Sequence, residues 1–167
     1  MKRALRIVSQ AVLYAAFVAV IGYFSTSPAY VHLAPGEAVV KLSLSHAGER
    51  KEACRTRTEE ELAKLAPNMR SPTVCPRERV PVRVVVAIDG ATLFDVVAPP
   101  TGLAKDGASN VYRSVTIAAG RHHVHAELAD APGGRVTFSA NTDVDLAPGR
   151  LLVIDFSPAD GGFLFRS

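Results

Sequence analysis

The chain has 167 residues, of which 48% are hydrophobic, and it carries a formal net charge of +3 at pH 7. Lys2, Arg3 and Arg6 at the amino terminus account for this excess, so the remainder is neutral, which argues against a nucleic-acid partner. The length leaves room for one domain after a targeting segment.

A long apolar segment, residues 7–24, follows the cationic start and is broken only by Ser9, Gln10 and Gly22. Its side chains are apolar around the whole circumference of a helix, which is typical of a membrane-embedded helix rather than a half-exposed one. Residues 1–24 are therefore predicted to form an uncleaved transmembrane signal anchor. The flanking positive charges orient it so that the chain after about residue 25 lies outside the cytoplasm.

A cleaved signal peptide is the alternative interpretation of this segment. Cleaved signals usually have an apolar region of about 7–15 residues and small residues at the cut, which Ser27-Pro28-Ala29 provides. The run here is longer, roughly 18 residues, and therefore favours the anchor. Residues 25–36, which contain Pro28 and Pro35, are predicted to be a tether above the membrane.

Short strands with alternating apolar and polar residues dominate the rest of the chain. Asp89-Gly90 is a strong hairpin signal between two of them, and Pro132-Gly133-Gly134 and Pro148-Gly149 mark further turns. The fold class is predicted to be mainly β, an antiparallel immunoglobulin-like β-sandwich over residues 37–167. The predicted strands are 40–45, 82–88, 92–97, 111–117, 122–128, 136–146 and 151–156.

One short helix is predicted between the two cysteines, because Thr58 and Glu61 have the spacing of a capping box and Pro67 ends the segment. Cys54 and Cys75 are too far apart for a Cys-x-x-Cys pair, and in an oxidising compartment they favour a structural disulfide. Closing this loop would stabilise the fold by roughly 3 kcal/mol. Two separate thiols, or thiols that bind copper with a histidine, are the alternatives.

A dense cluster of charge surrounds the cysteines, and it is either a solvated face or an interaction surface. Arginine forks recognise carboxylates or lipid phosphates, so Arg55, Arg70, Arg77 and Arg79 are the candidate interaction residues. Asn68-Met69-Arg70 and residues 76–79 are the segments expected to make contacts, because they are polar and loop-like. The cluster also contains six glutamates and the cations Arg50, Lys51, Arg57 and Arg83.

Histidines form the second candidate site. Strand alternation places His123 and His125 on one face and His122 on the other. Two imidazoles at this spacing can share a metal, and His46 ends another predicted strand, but zinc and copper sites require three or four ligands. His123 and His125 are therefore kept only as an alternative metal site, and no cofactor is predicted.

No catalytic motif is present: the sequence has no Gly-x-Ser-x-Gly elbow, no His-Glu-x-x-His and no phosphate-binding glycine loop. A catalytic triad whose members lie far apart in the sequence would not be found by such motifs. The segment 99–110 is longer than a usual hairpin connection and is either a binding loop or plain surface.

The segments that include Cys54-Arg55, Asn68-Met69-Arg70 and residues 75–79, together with residues 44–48 and Arg50-Lys51, resemble a family of uncharacterised bacterial proteins with one N-terminal membrane segment. The strands between residues 82 and 130 are similar to PEGA-type and other immunoglobulin-like extracytoplasmic modules. This resemblance implies location and fold class, and it transfers no catalytic residue.

These observations predict a single-pass inner-membrane protein of a Gram-negative bacterium whose domain lies in the periplasm. The expected role is non-enzymatic: an accessory, assembly or scaffold protein that contacts a protein partner in a membrane complex. A periplasmic ligand-binding or copper-binding module for a respiratory complex is the alternative, and an envelope hydrolase is the third class.

Overall fold

The computed structural model describes residues 2–27 and 33–167. The chain divides into two units, Met1–Ala34 and Pro35–Ser167. Of the predicted tether, residues 25–36, the first two residues belong to the helix described below, and residues 28–32, which include Pro28 and Ala29 of the candidate cleavage site, lie outside the described residues.

The first unit contains one helix, α1, which spans Lys2–Thr26. None of its residues is buried, and its 25 residues extend about 37 Å at about 1.5 Å per residue. It is long and apolar enough to cross the hydrocarbon core of a bilayer, which is about 30 Å thick. The helix extends two residues beyond the predicted 1–24, and a signal sequence near the N-terminus can also have this length and composition.

The described part of the second unit is mainly β, as predicted, with the predicted short helix α2 at Glu59–Ala63. Its strands are β1 Glu37–His46, β2 Arg55–Thr56, β3 Thr73–Val74, β4 Val82–Ile88, β5 Ala91–Ala98, β6 Ser109–Ala118, β7 Gly120–Ala129, β8 Val136–Leu146, β9 Leu151–Ser157 and β10 Gly162–Arg166.

Two four-stranded sheets form the body of this unit. The first sheet has the order β10-β9-β1-β6, and the second has the order β5-β4-β7-β8. Their pairings are antiparallel apart from β1 with β9, which is parallel. The sheets are therefore antiparallel, as predicted, with one exception: the chain leaves the second sheet after β8 and returns beside β1 in the same direction.

One hydrophobic core is shared by the two sheets. Alternate residues of β1, Ala38, Val40, Leu42 and Leu44, are buried, and β4 and β7 of the second sheet show the same alternation. The predicted faces of these strands are therefore confirmed. The other buried members of the core are Val82, Val84, Val86, Ile88, Phe94, Ala98, Val111, Val124, Ala126, Leu128, Leu146, Leu152, Ile154 and Phe156.

Strand β8 departs from its predicted face at its first residue. Val136 was expected to point inward with Phe138, but its side chain is 47% exposed. The register shifts between Leu128 and Ala129 of β7, so that Ala129 pairs with Val136 and one residue of β8 is unmatched. This bulge turns Val136 outward.

The strand directions separate two ends of the β domain. The chain enters at Glu37, which pairs with Ala118, and β1 ends at His46, which pairs with Ser109. Ten residues at about 3.3 Å each place these two ends about 30 Å apart. Residues 47–81 connect β1 to β4 at the His46 end, which we call the far end. The loop of residues 99–108 lies there too, because it joins the end of β5 to the start of β6.

Candidate functional site

The segment that connects β1 to β4 at the far end is closed by a disulfide, and we call its residues 49–81 the insert. The predicted bond between Cys54 and Cys75 is formed, with an S–S distance of 2.10 Å. Directly inside it, β2 and β3 make a two-residue antiparallel ladder that pairs Arg55 with Val74. The bond and the ladder together close the base of the segment that contains α2.

The insert has no hydrophobic core. No residue from position 49 to position 81 is buried, whereas both neighbouring strands, β1 and β4, bury alternate residues. Its conformation therefore depends on the disulfide and on polar contacts.

The helix α2 is held by its own capping box and by Arg55. Thr58 Oγ1 accepts a hydrogen bond from the Glu61 amide, and the Glu61 carboxylate accepts one from the Thr58 amide. Arg55 donates to both oxygens of that carboxylate at 2.9 Å. The hydrogen bond from Arg55, together with the one from Thr58, lowers the pKa of Glu61 to about 2.

Two further arginines fasten the middle of the insert to its own backbone. Arg57 Nη1 donates to the Ser71 carbonyl at 2.8 Å, and Arg70 Nε donates to the Leu65 carbonyl at 3.1 Å. Arg70 remains exposed and Arg57 is half-buried, so they clamp the insert while Arg70 leaves charge at its surface.

Arg79 anchors the root of the insert. Its Nη1 donates to the Gly48 carbonyl at 2.7 Å, and its Nε donates to the Asp106 carbonyl at 3.0 Å. Its backbone amide also donates to the Lys105 carbonyl at 2.9 Å. Arg77 pairs with the Asp106 carboxylate but keeps 76% of its side chain exposed.

Gly48 is required where the strand leaves the sheet. A Cβ atom on this buried residue would lie 2.5 Å from the Val80 carbonyl oxygen, which is backbone and cannot swing away. Glu49 next to it donates its amide to the Asp130 carbonyl and accepts from the Val80 amide. Three chain segments thus meet at the root through main-chain contacts.

A buried polar pair lies beneath this root. His46 Nε2 donates to Asp130 Oδ2 at 2.6 Å, and Thr137 Oγ1 donates to the other oxygen of that carboxylate at 2.5 Å. Ser109 lies opposite His46 in the sheet, and its hydroxyl is the one buried side-chain polar atom among the described residues without a hydrogen-bond partner. Because that hydroxyl is buried, the Ser109 side chain is not accessible from solvent as a nucleophile.

The loop of residues 99–108 is ordered by its own hydrogen bonds. Thr101 Oγ1 donates to the Ala108 carbonyl at 2.8 Å, and the Gly107 amide donates to the Thr101 carbonyl at 2.9 Å. Lys105 has a positive φ of 51° and donates its amide to the Gly102 carbonyl. At the loop's tip, the side chain of Leu103 is fully exposed.

The predicted histidine pair lies elsewhere, on the outer face of the second sheet. His123 Nδ1 contacts Asp143 at 2.8 Å, and His125 contacts Asn141 at 2.6 Å and Glu127 at 3.0 Å. The hydrogen bonds with Glu127 and Asn141 raise the pKa of His125. Within residues 2–27 and 33–167, no group of three or more histidine, cysteine, aspartate or glutamate side chains is arranged to hold a metal ion.

His122 lies on the opposite face, as the alternation predicts. Its Nδ1 is 2.7 Å from Asp89 Oδ2, and its Nε2 is 2.9 Å from the Ala118 carbonyl. Its hydrogen bond with Asp89 raises the pKa of His122 and lowers that of Asp89. His46 is separate from all three, at the far end.

The structure therefore divides the four candidate arginines. Arg55 pairs with the Glu61 carboxylate, and Arg79 donates to backbone carbonyls. Arg70 and Arg77 also make internal contacts, but both residues are exposed to solvent. Sequence reasoning missed the link between the insert and the loop of residues 99–108. The signal for it was the length of that loop, which fits a binding loop as well as plain surface.

No protein-family model matches the chain, and no curated protein is significantly similar to it.

Proposed function

We propose that this protein is a non-enzymatic accessory or scaffold protein, anchored in the inner membrane of a Gram-negative bacterium by α1. Its β domain lies in the periplasm and contacts a protein of a membrane complex through the disulfide-closed insert. The cationic start of α1 supports this topology by the positive-inside rule. The Cys54–Cys75 bond supports an oxidising compartment.

The domain is proposed to be an immunoglobulin-like sandwich. Two four-stranded sheets that share one hydrophobic core support this assignment, since sheets of that class bury their inner faces against each other. Domains of this class display loops at the ends of their sheets. The insert occupies such a position.

The observation that best supports the proposal is that the insert has a defined conformation although it has no hydrophobic core. A segment with no buried residue adds little apolar burial to the fold, yet this one is closed by a disulfide, a capping box and several arginine clamps. Rigid polar loops on a stable scaffold are where binding residues concentrate. The insert is therefore best explained as a recognition element.

A protein partner is favoured over lipid phosphates. Arg70 and Arg77 are exposed, and so are Glu59 and Glu60 of the same insert, so the insert presents both signs of charge. Such a mixed surface suits a protein with complementary charges better than an anionic bilayer.

Reversing the two exposed arginines tests the proposal in the full-length protein. Arg70→Glu combined with Arg77→Glu should abolish crosslinking and copurification of the membrane partner, because exposed charges contribute to recognition. Neither arginine belongs to the hydrophobic core, so the two sheets should stay folded although the contacts with Leu65 and Asp106 are lost. Arg79 is left unchanged, since its hydrogen bonds to Gly48 and Asp106 make it structural.

The matched control reverses two exposed arginines at the chain-entry end, Arg121→Glu with Arg150→Glu. Equal loss of the partner in both double variants would show that general charge, and not the insert, matters. His123→Ala with His125→Ala should leave the partner bound. Stoichiometric copper binding that disappears in this histidine variant together with function would replace the scaffold role by the copper-binding alternative.

A further inference from the structure

We infer that Leu103 is the apolar anchor of the partner interface and inserts into an apolar pocket rimmed by carboxylates on the partner protein. This inference rests on the proposed function and extends the contact surface from the insert to the loop of residues 99–108. Four features support this inference: the exposure of Leu103, the fixed conformation of its loop, the contacts that join that loop to the insert, and the charges around the loop.

Leu103 is the most exposed large apolar side chain among the described residues, at 106% of its reference area. A single exposed leucine is ordinary on a mobile surface. Here the leucine is part of a loop whose backbone is held by hydrogen bonds, so the position from which the side chain extends is fixed. A partner therefore need not order the loop backbone on binding, which lowers the entropic cost of the contact.

Contacts between Gly107 and Thr101 fix the conformation of this loop. A Cβ atom on Gly107 would lie 2.4 Å from Thr101 Oγ1 and 2.9 Å from the Thr101 carbonyl oxygen, so the two sides of the loop are in close contact. The hydrogen bonds of Thr101 with Ala108 and Gly107 close the loop at its base. The tip with Leu103 and Lys105 is held above this closed base.

The loop and the root of the insert form one connected unit. Arg79 binds the carbonyls of Lys105 and Asp106, and Arg77 pairs with the carboxylate of Asp106. The same Arg79 holds the Gly48 carbonyl where the insert begins. A partner that contacts Arg77 of the insert therefore meets the loop of residues 99–108 at a fixed position relative to the insert.

Cations predominate around this unit. Glu78 lies between Lys51, at 3.4 Å, and Lys105, at 3.9 Å, and all three side chains are exposed. With Arg77 and Asp106 this surface carries three positive and two negative charges. The excess of one positive charge favours carboxylates around the pocket that receives Leu103.

A lipid surface fits these features less well. The charged surface beside the leucine includes the carboxylates of Glu78 and Asp106, which an anionic bilayer does not complement. In a protein interface, by contrast, one buried side chain surrounded by polar contacts is a common energetic centre.

The test places a photoreactive phenylalanine derivative at position 103 of the full-length protein in native membranes. Irradiation should give one protein adduct, and the same probe at Val136, an exposed apolar position on β8, should give none. Mass analysis identifies the adduct. A lipid adduct, or no adduct at position 103, would overturn the inference.

Substitutions provide the second readout. Leu103→Asp should reduce copurification of the adducted protein at least tenfold, Leu103→Met should retain it, and Val136→Asp should not change it. Lys105→Glu should weaken it at low salt, and the difference should vanish near 1 M salt, where the screening length falls to about 3 Å. Since the side chain of Leu103 is fully exposed, both Leu103 variants should keep the thermal unfolding midpoint of the parent.

The outcomes separate this inference from the proposed function. If Leu103→Asp retains the partner while the Arg70 and Arg77 reversal abolishes it, the insert is the interface and the Leu103 anchor is wrong. If neither change affects the partner, both proposals are wrong.

Discussion

At the scale of single residues, Asp89 links a hairpin turn to a strand that follows much later in the chain. It adopts a positive φ of 52°, and Gly90 follows with 82°, which is the geometry that a tight Asp-Gly hairpin requires. Its carboxylate accepts from the His123 amide at 2.8 Å and pairs with the His122 ring at 2.7 Å. The turn could be predicted from the dipeptide, but its partner could not.

His122 is arranged to hold a proton. Its two ring nitrogens face a carboxylate oxygen and a carbonyl oxygen, and both of these groups only accept hydrogen bonds. The doubly protonated ring satisfies both acceptors, which explains the direction of its pKa shift. A raised pKa in the folded state stabilises the fold fully below the ordinary value near 6.5, and this contribution is lost as the pH rises through the folded-state pKa.

Replacing Asp89→Asn should therefore lower the pKa of His122, because the strongest acceptor of its proton loses its charge. NMR titration of the ring protons measures this change. His125 is the internal control, since its raised pKa depends on Glu127 and Asn141 and should not move. The parent domain should also lose stability more steeply than the variant as the pH rises above the ordinary histidine pKa near 6.5. An unchanged pKa for His122 would contradict the role assigned to Asp89.

At the scale of elements, the insert is separable from the sheets that carry it. Its internal contacts are the disulfide, the β2–β3 ladder and the clamps of Arg55, Arg57 and Arg70, and none of them involves the shared hydrophobic core. Local opening of such a segment costs less than global unfolding.

Replacing both cysteines, Cys54→Ser with Cys75→Ser, should loosen the insert and leave the sheets intact. Trypsin should then cleave within residues 55–74, while hydrogen exchange in β1, β4 and β7 remains slow. Global stability should fall by no more than about 3 kcal/mol, the value expected for this loop length. Thiol labelling of the denatured, unreduced parent should find no free cysteine. Equally fast exchange in the core strands of the variant would show that the insert supports the sheets.

The elements that sequence predicts well are those whose pattern is local. Alternation in Val82, Val84 and Val86 identifies β4, and the Thr58 and Glu61 spacing identifies α2. Strand β10 was not predicted, because five residues with two aromatic rings give too short a pattern. The bulge that exposes Val136 arises from pairing between strands, which periodicity within one strand does not contain.

The candidate site was predicted in its residue types but not in its partners. Exposed arginines near a disulfide were expected, and they are present. Arg79, however, binds carbonyls at positions 48 and 106, and contacts over such distances depend on the fold. Leu103 has no sequence signal of its own, because a leucine in a loop becomes informative only once its exposure is known.

At the scale of the whole molecule, the fate of α1 determines where the β domain operates. We predict that the mature protein retains residues 1–24 and fractionates with membranes, because α1 is longer than the apolar region of a cleaved signal. N-terminal sequencing of protein from native membranes measures this. A mature start at Tyr30 would show that Ser27-Pro28-Ala29 is cut and that the domain is released.

The parallel pair of β1 and β9 sets the order in which the domain can be completed. Val39 pairs with Leu151, a residue more than a hundred positions later in the chain. When the chain emerges amino terminus first, β1 appears early with both edges open and acquires its second neighbour only after β9 has appeared. Contacts of such long range also slow folding. The early strand is therefore the one exposed longest to mispairing during biogenesis, and it is where a holding chaperone would act with most effect.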